Sequence, residues 1–180
     1  MLYNHNEVKK IYKSDYQIKK AIKDGLLYKL DIGVYSDKNI INPLIIFSKK
    51  YASAIVTMNS AFYYYDLTDV IPQKVYLATS SGYRKISNNK IKQIYVPNDI
   101  LKQGKVEVDV DGEKVNMYDK ERLLVELIRK RKLIPFDYYK EIIANYRRIS
   151  NVLDMYKIEE YLSLYKNDAN LSEALIREVF

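Results

Sequence analysis

The stretch from Ser14 to Tyr35, SDYQIKKAIKDGLLYKLDIGVY, constrains the fold more than any other part of this chain, because its signals follow one order: cap, helix, stop, strand, turn, strand. Ser14 followed by Gln17 has the form of a capping box, in which the hydroxyl accepts a first-turn backbone N–H and the amide reaches back to the cap. Ile18, Ala21 and Ile22 recur at i, i+3 and i+4, the spacing of one buried helical face. Lys13, Lys19, Lys20 and Lys23 fall on the remaining surface, and Gly25 supplies the stop. Leu26 to Ile32 then alternates roughly apolar and polar, and Asp31–Ile32–Gly33 offers a turn before Val34 and Tyr35. Asn6 to Tyr12, with Val8, Ile11 and Tyr12 on one side, is expected as a supporting helix. This is the order of the back half of a winged helix-turn-helix, except that only residues 1 to 5 stand where that fold usually carries a further helix.

A helix laid in the DNA major groove needs side chains that reach phosphates at its edges and hydrogen-bonding groups near its N-terminal end. Tyr16, Gln17, Lys19, Lys20 and Lys23 are suitable types at suitable positions, with Lys13 in the preceding turn and Lys29 on the first wing strand. A solvated surface helix carries the same lysine-rich pattern, so that reading stands beside the DNA one. Charge placement separates them. Residues 1 to 50 hold ten Lys against five Asp and Glu, a net +5, whereas residues 51 to 110 are +2 and residues 111 to 180 hold thirteen of each sign. A basic excess confined to one end is what a polyanion-binding module needs, since neutralised phosphates release counterions.

Beyond the proposed wing, Asn42–Pro43 breaks the pattern, giving a winged-helix domain over 1–40 and a second domain over 43–180. The fold class expected is α+β: an N-terminal winged helix-turn-helix followed by a mixed α/β C-terminal domain that ends in helices. Leu44 to Tyr51 and Ala54 to Tyr65 read as helices, the second packing closely through Ser60 and Ala61. Lys74 to Thr79 and Lys90 to Val96 read as strands. Lys105 to Val110, Asp111–Gly112 and Glu113 to Met117 form a hairpin about an Asp-Gly turn. Asp119 caps a helix over Lys120 to Arg131 with Leu123, Leu124, Leu127 and Ile128 on one face. Its RKRK end, residues 129 to 132, suits a helix C-terminus, where the macrodipole favours cations, and a second nucleic-acid patch is the alternative. Helices follow at Phe136 to Ile149, Asp154 to Tyr165 and Leu171 to Val179.

The chain has no cysteine, so thiol nucleophiles, disulfides and thiolate metal sites are excluded, and a cytoplasmic location is expected in the absence of a secretory signal or a membrane-length apolar run. His5, the sole histidine, argues against imidazole metal centres and a His general base. No phosphate-cradling glycine loop or nucleophile elbow occurs. Thr79–Ser80–Ser81–Gly82 with Asp109 and Asp111 could be compared with a nucleotidyltransferase site, and Glu107, Asp109, Glu113 and Lys114 with a metal-dependent nuclease site, but alternating charges on the solvent side of a hairpin are the plainer explanation. No enzyme activity and no cofactor are expected.

Several segments together resemble one family. DGLLYKLDIGVYS (24–36), MNSAFYYYDLTDVIP (58–72), KVYLATSSGYRK (74–85) and YDKERLLVEL (118–127) are similar to the AbiEi antitoxins of type IV toxin–antitoxin systems. The shared pattern falls on Gly25, Leu27, Gly33, Tyr35, Ser60, Ala61, Glu121, Arg122, Leu123 and Leu124, and the likeness spans about residues 6 to 165. It implies a phage-defence antitoxin whose N-terminal winged helix binds inverted repeats in its own promoter and represses the operon. It further implies a C-terminal domain that counters a nucleotidyltransferase-like toxin without a stable complex, in a chain that is monomeric in solution and binds DNA cooperatively. A protein-interaction or regulatory module without an antitoxin role is the alternative.

Overall fold

The computed structural model describes residues 1–165 and 170–180, and among them it is mixed α+β, with eight α-helices and two β-sheets. No helix among the described residues is long and apolar enough to cross a membrane. The chain divides into two compact units, Met1–Ser53 with Asp109–Val115, and Ala54–Val108 with Asn116–Phe180.

In the first unit, β1 (Leu2–Asn4) leads into α1 (His5–Tyr12), and Asn4 forms a full capping box: its Oδ1 accepts from Glu7 N at 3.0 Å while its own N–H donates to Glu7 Oε2 at 2.6 Å. A two-residue turn, Lys13–Ser14, separates α1 from α2 (Asp15–Lys23). Gln17 N–H donates to Ser14 Oγ at 3.2 Å, which is the hydroxyl half of the box expected there. Gly25 ends α2 at φ +71°, a left-handed conformation in which Leu26 and Leu27 both donate to the Ala21 carbonyl. The hairpin of β2 (Tyr28–Asp31) and β3 (Val34–Ser36) turns at Gly33, also at positive φ, and β1 joins it as a third strand in the order β1-β3-β2. The first residues of the chain are therefore a strand, with Leu2 opposite Ser36 and Tyr3 opposite Tyr35. Three residues show no readable period, so only the distant pairing reveals them. α3 (Pro43–Lys50), capped by Asn42, packs against β1 and β3, which carries this unit to Ser53, past position 43.

A five-stranded sheet in the order β6-β5-β4-β8-β7 is built from β4 (Ile55–Val56), β5 (Val75–Ser80), β6 (Ile91–Val96), β7 (Lys105–Val110) and β8 (Glu113–Tyr118), of which all but Asp109–Val115 belongs to the second unit. The single helix expected over Ala54 to Tyr65 is two elements. Ile55 and Val56 insert as a short strand antiparallel to β5 and parallel to β8, a place that suits β-branched side chains, and α4 begins only at Met58 and runs to Tyr64. Ser60 ties α4 to the sheet by accepting Tyr76 N–H at 2.9 Å and donating to the Lys74 carbonyl. β5 and β6 run parallel, joined by residues 81–90, and Gln93 holds that connection by accepting from Ile86 N–H while donating to Thr79 Oγ1. The β7–β8 turn forms as the Asp-Gly signal predicts, with Asp111 and Gly112 both at positive φ and Asp109 Oδ1 accepting Gly112 N–H at 2.9 Å. Asp109 thus has a turn-closing role. Among the described residues no three acidic or imidazole groups gather as a metal site.

α5 (Lys120–Arg129) lies at the centre of the remaining helices, packed against α4, α7 (Met155–Ser163) and α8 (Leu171–Val179), while α6 (Phe136–Arg148) packs on α8. It is buried on nearly every side, including Arg122 and Glu126, and not only on the Leu123 face. Its N-cap Asp119 accepts from Arg122 N–H and from the Tyr161 hydroxyl. Gly104, at positive φ, passes so close that a Cβ there would stand 2.6 Å from that of Arg122. The Arg122 guanidinium lies 5.2 Å from the Tyr118 ring centre and 5.5 Å from that of Tyr165, and donates to Glu126 at 3.1 Å. Glu126 also accepts from Arg129, Lys130 and the Tyr165 hydroxyl. Burial works against that carboxylate, but the charges of Lys130 and Arg129 and the bonds from Lys130 and Tyr165 outweigh it, holding its pKa down at about 2.

Because the folded value lies below the ordinary 4.5, this stabilisation is complete above that pH and is lost as pH falls towards 2. Glu126→Gln should cost up to about 3 kcal/mol at neutral pH and leave a shallower loss of stability between neutrality and pH 3. Urea unfolding at the two pH values checks this; a variant with the parent's full acid sensitivity would contradict it.

Candidate nucleic-acid interface

The first unit's core explains how its surface is presented. Val8 from α1, Ile18 and Ala21 from α2, Leu27 and Tyr35 form one buried cluster, with Tyr3 and Tyr12 packed against it. Fully burying an aliphatic side chain of this size contributes about 1.5–3 kcal/mol, so the Ile18–Ala21 stripe has a strong preference for facing inward. With 3.6 residues per turn, Tyr16, Lys19, Lys20 and Lys23 then fall within an arc of about 100° on the opposite side. All four are exposed, Tyr16 at 77%. Gln17 is exposed about 60° outside this arc, on the Ala21 side, with its backbone N–H held by Ser14, and Lys13 and Lys29 are exposed on the turn and on β2. The seven residues singled out in the sequence are thus all solvent-facing, and the helix brings four of them into one stripe.

Ion pairing sorts the lysines of this unit. Lys9 pairs with Asp15 at 3.6 Å, Lys49 with Glu7 at 3.8 Å, and Lys50 with Asp31 at 2.9 Å, the last half-buried on both sides. Lys13, Lys19, Lys20, Lys23 and Lys29 have no carboxylate partner among the described residues. Lys10 of α1 and Lys38 after β3 have none either, but three of the unpaired lysines, Lys19, Lys20 and Lys23, share one face of α2. Lys49 and Lys50, which suit the helix dipole by sequence, are instead occupied in cross-links to α1 and β2.

Sequence reasoning missed Ile32. It stands at the hairpin tip, 79% exposed, between Asp31, whose Oδ1 accepts the Ile32 N–H, and Gly33. An isoleucine where turns favour Gly, Asn, Asp or Ser is the signal that marks it. His5 lies against Tyr35, its ring tilted and Nδ1 3.5 Å from the tyrosine hydroxyl, in a packing position.

The α1–α2 turn is strained. Lys13 adopts φ +58°, a left-handed conformation that costs an L-residue about 1–2 kcal/mol and that glycine adopts freely. Lys13→Gly should therefore be more stable than Lys13→Ala by about 1 kcal/mol, although both lose the same charge. Equal unfolding midpoints for the two variants would contradict the conformation assigned to this turn.

No protein-family model matches this chain, and no curated protein sequence matches it significantly.

Proposed function

We propose that the first unit is a winged helix-turn-helix that binds duplex DNA, with α2 as the recognition helix and the β2–β3 hairpin as the wing. The observation that carries this reading is the stripe of Tyr16, Lys19, Lys20 and Lys23: exposed, free of carboxylate partners among the described residues, and opposite the buried Ile18–Ala21 face. Lys19, Lys20 and Lys23 would neutralise phosphates, Lys13 and Lys29 would extend the contact to the turn and the wing, and Gln17 and Tyr16, near the helix N-terminus, would reach base edges. Ile32 at the wing tip is an apolar side chain of the kind that enters a minor groove.

Within that frame, the chain acts as an autorepressing antitoxin of the AbiEi kind. It binds repeats upstream of its own gene, while the residues from about 43 onward counteract a nucleotidyltransferase-like toxin without a stable complex. What supports the second half of the reading is the sequence likeness over residues 24–36, 58–85 and 118–127. A second reading rests on the apolar residues bordering the stripe: Ile11, Ile22 and Leu26 are exposed, and such a margin suits a protein partner.

The triple variant Lys19→Ala, Lys20→Ala, Lys23→Ala should weaken binding to the upstream duplex by at least about tenfold and reduce the log–log salt slope by about 2–3, since each phosphate contact contributes about 0.9. Binding measured at several salt concentrations decides between the readings. An unchanged slope would remove α2 from the interface and favour the protein-docking alternative.

A further inference from the structure

The RKRK cluster at the end of α5 divides in two. Arg129 and Lys130 turn to the buried Glu126, at 3.2 Å for Arg129. Arg131 and Lys132 instead line a cavity of about 460 Å³ together with Lys140 and Arg147 of α6. The helix dipole accounts for the first pair but supplies no reason for four cations around a cavity. Glu178 is the one carboxylate in the lining.

The cations are partly preset. Arg131 Nη1 donates to the Ile128 carbonyl at 2.7 Å, Arg147 Nε donates to the Glu178 carbonyl at 2.6 Å, and Lys140 Nζ sits 5.1 Å from the centre of the Phe136 ring. Each of these contacts holds a side chain in place while leaving its positive charge uncompensated. The remaining wall is apolar: Phe136, 70% exposed, with Ile143 and Tyr139. Tyr139 is 6% exposed, and burial, together with the Glu178 carboxylate that its hydroxyl faces, raises its pKa.

We propose that this cavity binds a small organic polyphosphate of the nucleoside di- or triphosphate class. The four cations select several negative charges, and the apolar wall takes a ring. The volume lies in the range of small-ligand sites, whereas duplex DNA presents its phosphates on a convex surface. This site lies wholly in the second unit and does not depend on the DNA reading of the first.

Calorimetric titration of the full chain with ATP, with inorganic triphosphate and with adenosine tests the proposal. The expected result is ATP binding that exceeds inorganic triphosphate, with adenosine weaker than both. Lys132→Ala with Lys140→Ala should weaken ATP binding by at least about tenfold at unchanged thermal midpoints. Lys20→Ala, in the first unit, should leave ATP binding intact. No heat of binding at about 1 mM ATP, or affinity insensitive to the double variant, would overturn the proposal. Equal affinity for inorganic triphosphate would overturn the role of the apolar wall, and tighter binding of a single-stranded RNA oligomer would reassign the site to a nucleic-acid strand.

Discussion

The first unit depends on one small packing cluster, Val8, Ile18, Ala21, Leu27 and Tyr35. Those side chains come from two helices, the segment after α2 and a strand, so closing the cluster fixes the direction in which α2 faces. Turning the lysine stripe inward would bury cations without partners, at several kcal/mol each, while exposing Ile18 and Ala21. The cationic surface is therefore a consequence of the apolar one. The ion pairs sharpen it: Glu7, Asp15 and Asp31 engage Lys49, Lys9 and Lys50, and leave the outer face of α2 uncompensated.

A different constraint shapes the second unit. α5 places Arg122 and Glu126 where water does not reach, and their charges are made tolerable by one another, by Arg129 and Lys130, and by a set of tyrosines. A buried ion network of this kind stabilises little compared with an apolar core of equal volume, but breaking it is costly, because it strands a charge. Gly104 belongs to the same arrangement, since any side chain there would meet Arg122. The tyrosines, abundant in the sequence, serve here as amphipathic core: Tyr118 and Tyr146 bury their rings while their hydroxyls donate to the carbonyls of Leu101 and Lys120.

Much of the secondary structure was legible, for local reasons. Ser14, Gly25, the Asp-Gly turn and Asp119 act on their own neighbours, and each sits where its chemistry predicts. What was hidden depended on residues far apart in the chain. Leu2–Asn4 is a strand only because β3 is there to pair with it, and Ile55–Val56 is a strand only between β5 and β8. The burial of Arg122 and Glu126 was partly readable: apolar residues at 123, 124, 125, 127 and 128 cover more than one helical face, so the intervening polar positions had little surface left to occupy. The division of the RKRK cluster was not, because Glu126 draws only two of its four cations inward. At the proposed DNA face, residue types and spacing identified the stripe, whereas pairing states needed α3, whose lysines reach Glu7 and Asp31.

The central claim is that α2 and the β2–β3 hairpin form a DNA-reading surface. Amide chemical-shift mapping of the full chain, titrated with the duplex upstream of its own gene, tests it most directly. The account predicts perturbations concentrated at residues 13–23 and 28–33, absent with a scrambled duplex in moderate salt. Perturbations confined to residues 131–147, with α2 silent, would contradict it.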